Sequence, residues 1–268
     1  MTDKYAVIGK PISHSKSPLI HRIFAEQTGQ DISYEAMLAP LDGFAATVER
    51  LRKQGYKGCN VTVPFKFEAF QLSTQLTERA QAAKAVNTLK FDGDSILGDN
   101  TDGAGLVRDI QHNFGFSLCA RRILLVGAGG AAYGVILPLL DAGVELSLVN
   151  RTPEKAQQLG AAFSRQITVC TYAELDGKTF DCIINATSAG LSDEMLPLPS
   201  GIFAPGALAL DMMYGRETPF LKFSREQGAA IVADGLGMLV EQAAEAFFLW
   251  RGVRPETAPV IAKLRETA

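Results

Sequence analysis

The segment Val126-Gly127-Ala128-Gly129-Gly130-Ala131-Ala132-Tyr133-Gly134 follows a fully apolar run, Ile123 to Val126, and precedes a helix-like stretch ending near Asp141. Glycine at 127 permits a tight turn there. Glycine at 129 or 130 lets the backbone approach a pyrophosphate, and the next helix offers free amides and the positive end of its dipole to the phosphates. A bare glycine triplet is ordinary turn chemistry; between a buried strand and a helix it points to dinucleotide binding. The next strand ends at Val149-Asn150-Arg151-Thr152, about 20 residues past the loop, where an NAD enzyme places Asp or Glu on the ribose 2′-hydroxyl. Here Asn150 stands in place of an acid, Arg151 follows, and Lys155 lies one helical turn on. Cations at a helix N-terminus oppose the macrodipole and so suggest an anion there; a 2′-phosphate fits, which selects NADP.

Two loops carry more hydrogen-bonding side chains than connection requires: Gly9-Lys10-Pro11-Ile12-Ser13-His14-Ser15-Lys16-Ser17-Pro18 and Asn60-Val61-Thr62-Val63-Pro64-Phe65-Lys66. Each alone reads equally as a cap or turn. With Ala85-Val86-Asn87-Thr88 and Gly98-Asp99-Asn100-Thr101-Asp102-Gly103 they form an ordered set. That set, with Gly-Ala-Gly-Gly-Ala, Asn-Arg-Thr, Ile-Asn-Ala-Thr, Asp-Met-Met-Tyr and Asp-Gly-Leu-Gly-Met-Leu-Val-Glu-Gln-Ala further on, closely resembles the shikimate dehydrogenase family, in its bacterial biosynthetic form.

The resemblance implies reversible reduction of 3-dehydroshikimate to shikimate by NADPH, in the chorismate route to aromatic amino acids. It also implies residue roles. Ser15 and Ser17 would bind the substrate carboxylate, with Thr62 and Tyr214 near that end. Lys66, Asn87, Asp102 and Gln242 would hold the ring hydroxyls and the reacting oxygen. Gly127, Ala128, Gly129, Gly130 and Ala131 would hold the pyrophosphate, and Asn150, Arg151, Thr152 and Lys155 the adenosine phosphate. Met212 and Gly235 would lie along the nicotinamide, with Glu78 a further candidate near it. Hydride delivery to a ketone leaves charge on oxygen, which needs a proton donor within reach; Lys66 as ammonium can donate, and Asp102 can orient it. Whether Lys66 is the sole acid or base stays open. Ala132-Tyr133 departs from the Ser-Arg of many relatives, leaving Arg151 and Lys155 to carry NADP preference. The rivals are a quinate/shikimate dehydrogenase of broader cofactor use, an idle NADP-binding sensor, and an α/β domain with no ligand.

The elements that must position these residues alternate. Strand-like runs at Tyr5–Ile8, Ser33–Leu38 and Cys59–Val63 separate helix-like ones, one expected to be capped by Ser17 and another by Asp42. A helical segment is expected over Leu76–Lys84, and Asp92-Gly93-Asp94 reads as a hairpin turn between Val86–Phe91 and Ser95–Gly98. Asp102 to Phe114 reads as one connecting helix. Further buried strands are expected at Glu145–Val149, Asp181–Ile184 and Ala207–Leu210, and two helices after Gly237 divided near Gly252 to Pro255. The expected fold is α/β: a mostly parallel substrate domain of residues 1–102 plus 237–268, and a Rossmann-type NADP-binding domain of residues 103–236. Return of the last helices to the first domain does not follow from periodicity.

The chain has 268 residues, 47% hydrophobic and 21% charged, with net charge −3. That supports a buried core and gives no electrostatic footprint for nucleic acid or an anionic membrane. The start lacks signal-peptide character, and the apolar stretch from Ala131 to Val149 is broken by Asp141 and Glu145, so a cytoplasmic location is expected, as monomer or homodimer on a small-molecule substrate. The four cysteines, Cys59, Cys119, Cys170 and Cys182, read as buried reduced thiols. None of His14, His21 and His112 has zinc spacing; His21 and His112 are expected on helix surfaces.

Overall fold

The computed structural model describes residues 2–163 and 167–266. The chain divides into two compact units, one holding residues up to Gly105 together with the segment from Val240, the other Leu106–Leu239.

The first unit begins with β1 (Asp3–Gly9), α1 (Ser17–Thr28), β2 (Ile32–Leu38), α2 (Phe44–Lys53) and β3 (Tyr56–Val61). It continues through α3 (Lys66–Leu72), β4 (Gln75–Leu76), α4 (Glu78–Ala83), β5 (Thr88–Asp92) and β6 (Ser95–Asp99). The strands form one six-stranded sheet in the order β2-β1-β3-β5-β6-β4. β1 pairs in parallel with β2 and β3, while β5 runs antiparallel to β3 and β6. β1 carries Tyr5, Ala6, Val7 and Ile8 in succession, all buried, as a strand covered on both faces requires. In α2 the apolar residues Phe44, Val48 and Leu51 recur at helical spacing and bury one stripe, with Phe44 stacked on Phe65 at 5.1 Å.

α5 (Asp102–Arg108) leads out of this unit and continues as a π-helical turn over Asp109–Asn113, so the expected single helix changes pitch midway. The second unit contains β7 (Arg122–Val126), α6 (Gly130–Asp141), β8 (Glu145–Val149), α7 (Pro153–Ala161), β9 (Thr168–Cys170), β10 (Phe180–Asn185), β11 (Phe203–Asp211), α8 (Pro219–Glu226) and β12 (Ile231–Ala233). Its six strands are all parallel, in the order β9-β8-β7-β10-β11-β12. The first strand of this unit therefore lies mid-sheet, and the order reverses beside it, the switch point at which doubly wound sheets bind nucleotides. Along β7, Ile123 and Leu125 enter one core and Leu124 and Val126 the other, which is why the strand reads as continuous hydrophobicity.

α9 (Leu236–Arg251) and α10 (Ala258–Glu266) complete the chain. Trp250 of α9 stacks on Tyr5 of β1 at 4.6 Å and donates its indole N–H to the Leu89 carbonyl at 3.0 Å. A Cβ at Gly58 would lie 2.6 Å from Trp250 Nε1, so only glycine allows that ring against β3. These side chains tie α9 to the first sheet.

Several local expectations are corrected. Ser17 is the first residue of α1, not its cap; Lys16 precedes it, and no side chain caps the helix. Asp42 does not cap α2, which starts from Gly43. The segment from Leu76 begins as strand, and α4 is capped instead by the Thr77 hydroxyl. β5 starts at Thr88 rather than Val86. His21 is fully buried rather than on a helix surface, stacked on Tyr34 at 4.1 Å with an interplanar angle of 8°. Cys119 is exposed, while the other three cysteines are buried; all four are free. Among the described residues no helix is long and apolar enough to cross a membrane, and no group of side chains is arranged to hold a metal.

Candidate active site

In the first unit the polar motifs converge at the ends of β3, β5 and β6. Lys66 opens α3 immediately after the loop that follows β3. Its Nζ lies 2.6 Å from Asp102 Oδ2 at the start of α5. Asn87, just ahead of β5, donates through Nδ2 to the other carboxylate oxygen, Asp102 Oδ1, at 2.8 Å. Gln242 of α9 meets the same amide, its Oε1 3.4 Å from Asn87 Nδ2. Four of the expected residues thus form one constellation, although they are spread over residues 66 to 242. Half-buried Lys66 has its ammonium aimed by a nearly buried carboxylate.

The loop that delivers Asp102 is held from below. Asp99, almost fully buried, accepts from Thr77 Oγ1 at 2.6 Å, from Arg79 Nε at 2.7 Å and Nη2 at 2.5 Å, and from the Asn100 amide at 2.7 Å. Arg79 also reaches Glu245 Oε1 of α9 at 3.0 Å, and Arg254 pairs with the other oxygen of Glu245. Burial alone would raise the Glu245 carboxyl, but the hydrogen bond from Arg254 and the charge of Arg79 hold it below the usual range. Asn100 then donates to the Ala85 carbonyl at 3.0 Å and accepts the Asp102 amide at 3.2 Å.

At the end of β1, Ser15 and Ser17 adjoin: the Ser17 amide donates to Ser15 Oγ at 3.3 Å. A hydroxyl oxygen that accepts from an amide has its own hydrogen left to give. Thr62 lies in the neighbouring loop, its amide bonded to the Ile8 carbonyl at 2.9 Å. Glu78 is exposed on the first turn of α4, where its neighbour Arg79 makes the ion pairs.

In the second unit Gly127 follows β7 with φ +115°, a conformation that favours glycine, and a Cβ there would lie 3.1 Å from the Ala186 carbonyl carbon. Nothing stands within 4 Å of a Cβ built on Gly129, so its surroundings are open. Gly130 and Ala131 form the first turn of α6. Asn150 reaches back, its Oδ1 accepting the Ala128 amide at 3.2 Å while Nδ2 donates to the Thr152 carbonyl at 2.9 Å. The residue at the end of β8 therefore braces the glycine loop itself. Thr152 precedes α7, and Lys155 is exposed on its first turn. Arg151 is exposed and pairs with Glu194 at 2.6 Å.

Beyond β11, Asp211 is buried and accepts from Thr218 Oγ1 at 2.5 Å, Asn185 Nδ2 at 3.1 Å and the Met213 amide at 3.0 Å. Burial raises its carboxyl in spite of these bonds. The anchor fixes the bend at Met212-Met213, against which Gly235 packs so closely that a Cβ would lie 2.3 Å from the Met212 carbonyl oxygen. Tyr214 follows, partly exposed, its phenol raised by burial.

Sequence reasoning did not single out Asn60, Thr88, Thr101, Arg79, Asp99 or Asp211. Thr88 and Thr101 lie inside the motifs that were recognised, and their signal is a threonine next to a candidate asparagine or aspartate. Nothing in the sequence marks Arg79, whose partners are set by tertiary packing.

Comparison with known proteins agrees along the chain. Residues 7–89 match the shikimate dehydrogenase substrate binding domain, residues 109–192 the shikimate / quinate 5-dehydrogenase family, and residues 235–265 the shikimate 5′-dehydrogenase C-terminal domain. The NADP(+) shikimate dehydrogenase of Nitrosospira multiformis is 62% identical over 271 residues, covering 100% of this chain and 98% of the relative. That of Methylobacillus flagellatus is 59% identical, covering 98% and 99%. Among solved structures, an Ael1 enzyme from Pseudomonas putida superposes with a TM-score of 0.93 at 49% identity, covering 98% of both chains. Shikimate 5-dehydrogenase from Thermus thermophilus, solved in complex with NADP(H) and shikimate, gives 0.88 at 31% identity over 100% of both. With full-length identity of this size, the chain belongs to the shikimate dehydrogenase family.

Proposed function

We propose that this chain interconverts 3-dehydroshikimate and shikimate with NADP as the hydride partner. The observation that carries the reading is the Lys66–Asp102 pair at 2.6 Å, joined by Asn87. When bound, reduced NADP would supply the hydride to the substrate carbon. The Lys66 ammonium, aimed by Asp102, gives a proton to the oxygen on which charge develops, and takes it back in the reverse direction. Asn87, Asp102 and Gln242 present both donors and acceptors, as a polyhydroxylated ring requires. Ser15 and Ser17, with Thr62 beside them, offer hydroxyl hydrogens to the substrate carboxylate. Tyr214 is assigned to the same substrate.

The residues fit the dinucleotide. The open space at Gly129 and the N-terminus of α6, which no side chain caps, suit a pyrophosphate, with Gly127, Ala128, Gly130 and Ala131 forming the rest of the cradle. Arg151 and Lys155 would hold the 2′-phosphate, with Thr152 adjoining and neutral Asn150 leaving the site free of like charge. Met212 and Gly235 are assigned to the nicotinamide and Glu78 to its periphery. Four free thiols suit a reducing, cytoplasmic compartment, and the reading assigns a monomer or homodimer.

The matched shikimate / quinate family supports a second reading, in which quinate is also a substrate. Absorbance of the reduced nicotinamide, followed with shikimate or quinate and NADP or NAD, tests both. The expected result is oxidation of shikimate with NADP well above the other combinations. Quinate with NAD matching it would overturn the proposal.

A further inference from the structure

A row of side chains, buried except at its half-buried Tyr34 end, runs across the first sheet to Asp102, and its hydrogen bonds all point one way. The Tyr34 hydroxyl donates to Asn60 Oδ1 at 2.7 Å. Asn60 Nδ2 donates to Thr88 Oγ1 at 2.9 Å. Thr88 Oγ1 donates to Asn87 Oδ1 at 2.9 Å, and Asn87 Nδ2 donates to Asp102 Oδ1 at 2.8 Å. The strand register makes this possible, because Asn60 of β3 is paired directly with Thr88 of β5.

The direction is dictated by groups that have only one role. The Thr101 backbone N–H can only donate, and it meets Asn87 at 2.8 Å; the atom facing it must be the amide oxygen. The Asn87 NH2 is thereby turned toward the carboxylate. The Asn87 backbone carbonyl can only accept, and it takes a bond from Asn60 Nδ2 at 3.3 Å, so Asn60 turns its oxygen to Tyr34. Thr88 sits between an amide NH2 that can only give and an amide oxygen that can only accept. Its single hydroxyl hydrogen goes to the Asn87 oxygen at 2.9 Å, the shorter of its two contacts, Thr101 Oγ1 lying at 3.5 Å. The Tyr34 ring is clamped by the fully buried His21.

We infer that Thr88 is a positioning residue for the reaction, joining the Thr101 amide in holding the Asn87 side chain so that Asp102 holds the Lys66 ammonium on the reacting oxygen. Bonds aligned head to tail polarise one another, and this row ends on the carboxylate that aims Lys66. Tyr34 is its remote end. The inference rests on the reading of Lys66 and Asp102 as the proton-transfer pair.

The test is the single-turnover rate of hydride transfer at saturating shikimate and NADP, with KM for shikimate and the melting temperature measured alongside. Thr88→Val removes the hydroxyl at similar size and is expected to slow hydride transfer about tenfold while KM changes by less than about twofold. Thr88→Ser keeps the hydroxyl and is expected to restore most of the rate. Tyr34→Phe is expected to slow the step about threefold. A Thr88→Val enzyme that folds and transfers hydride at the parent rate overturns the inference. So does a Thr88→Ser enzyme as slow as Thr88→Val, because the lost rate would then belong to packing. Should Thr88→Val not fold, Tyr34→Phe decides: the parent rate there overturns the inference. Lys66→Ala is run in parallel. If it keeps the parent rate, the reading of Lys66 itself fails, whatever Thr88 does.

Discussion

Lys66 Nζ and Asp102 Oδ2 lie 2.6 Å apart, although β4, α4, β5 and β6 all intervene between the two residues in the chain. The pair is charge-assisted, short and partly shielded, so the ammonium is aimed rather than left to wander in solvent. Lys66→Ala removes the proposed proton donor. It is expected to lower kcat by at least about a hundredfold with a milder change in KM for shikimate, measured by steady-state absorbance. A near-normal kcat would sink the assignment.

Arg151 is engaged by the Glu194 carboxylate at 2.6 Å, the same chemistry the cofactor phosphate would offer. Both side chains are exposed, so the pair is weak in water and screened by salt. Arg151→Ala is expected to raise KM for NADP about tenfold or more while leaving KM for NAD nearly unchanged. Glu194→Gln removes the competitor and is expected to lower KM for NADP about twofold to fivefold at low ionic strength, an effect that fades in salt. Equal changes for NADP and NAD would refute the assignment of Arg151 to the 2′-phosphate.

His21 lies fully buried among Tyr34, Phe24, Phe247 and Trp250, with Asn60 beside the ring. Burial pushes its pKa down to about 3, with the neighbouring Asn60 opposing. The unfolded chain takes up a proton near pH 6.5, the native protein only near 3. Stability is therefore fully present above about 6.5 and is lost as pH falls below it, at up to about 1.4 kcal/mol per pH unit. His21→Phe should keep the stack and flatten the pH dependence of denaturant midpoints between about pH 6.5 and 5. An unchanged slope in the variant would show that other groups carry it.

Gly235 packs against the Met212 carbonyl oxygen with no room for a methyl group. Gly235→Ala forces that bend to move, at a cost of about 1–3 kcal/mol in urea unfolding. Since Met212 is assigned to the nicotinamide, KM for NADP should rise as well. An alanine enzyme with parent stability would show that the bend yields without cost.

Much of the second sheet was readable from one dimension. β7 and the Cys182–Ile184 stretch of β10 announce themselves because strands covered on both faces are continuously apolar, and the glycines after β7 follow from the backbone they must adopt. The polar loops were readable as motifs, which located Ser15, Lys66, Asn87 and Asp102. Other features were not. Ser17 and Asp42 have the residue type of helix caps, yet the chain enters each helix by another route, since a cap depends on the backbone angle at entry as well as the side chain. His21 looked like a surface residue because its type is polar; only the ring of aromatic partners from β2 and α9 makes its burial favourable.

Residue order thus determined the alternation of elements, the glycine turn and the neutral-then-basic end of β8. It did so because each depends on the chemistry of adjacent residues. Tertiary structure decided that Gln242 joins Asn87, that Arg79 braces Asp99, and which way the amides of Asn60 and Asn87 face. Those depend on strand register and on groups far apart in the chain, and the direction of a hydrogen bond is settled only when both partners are in place.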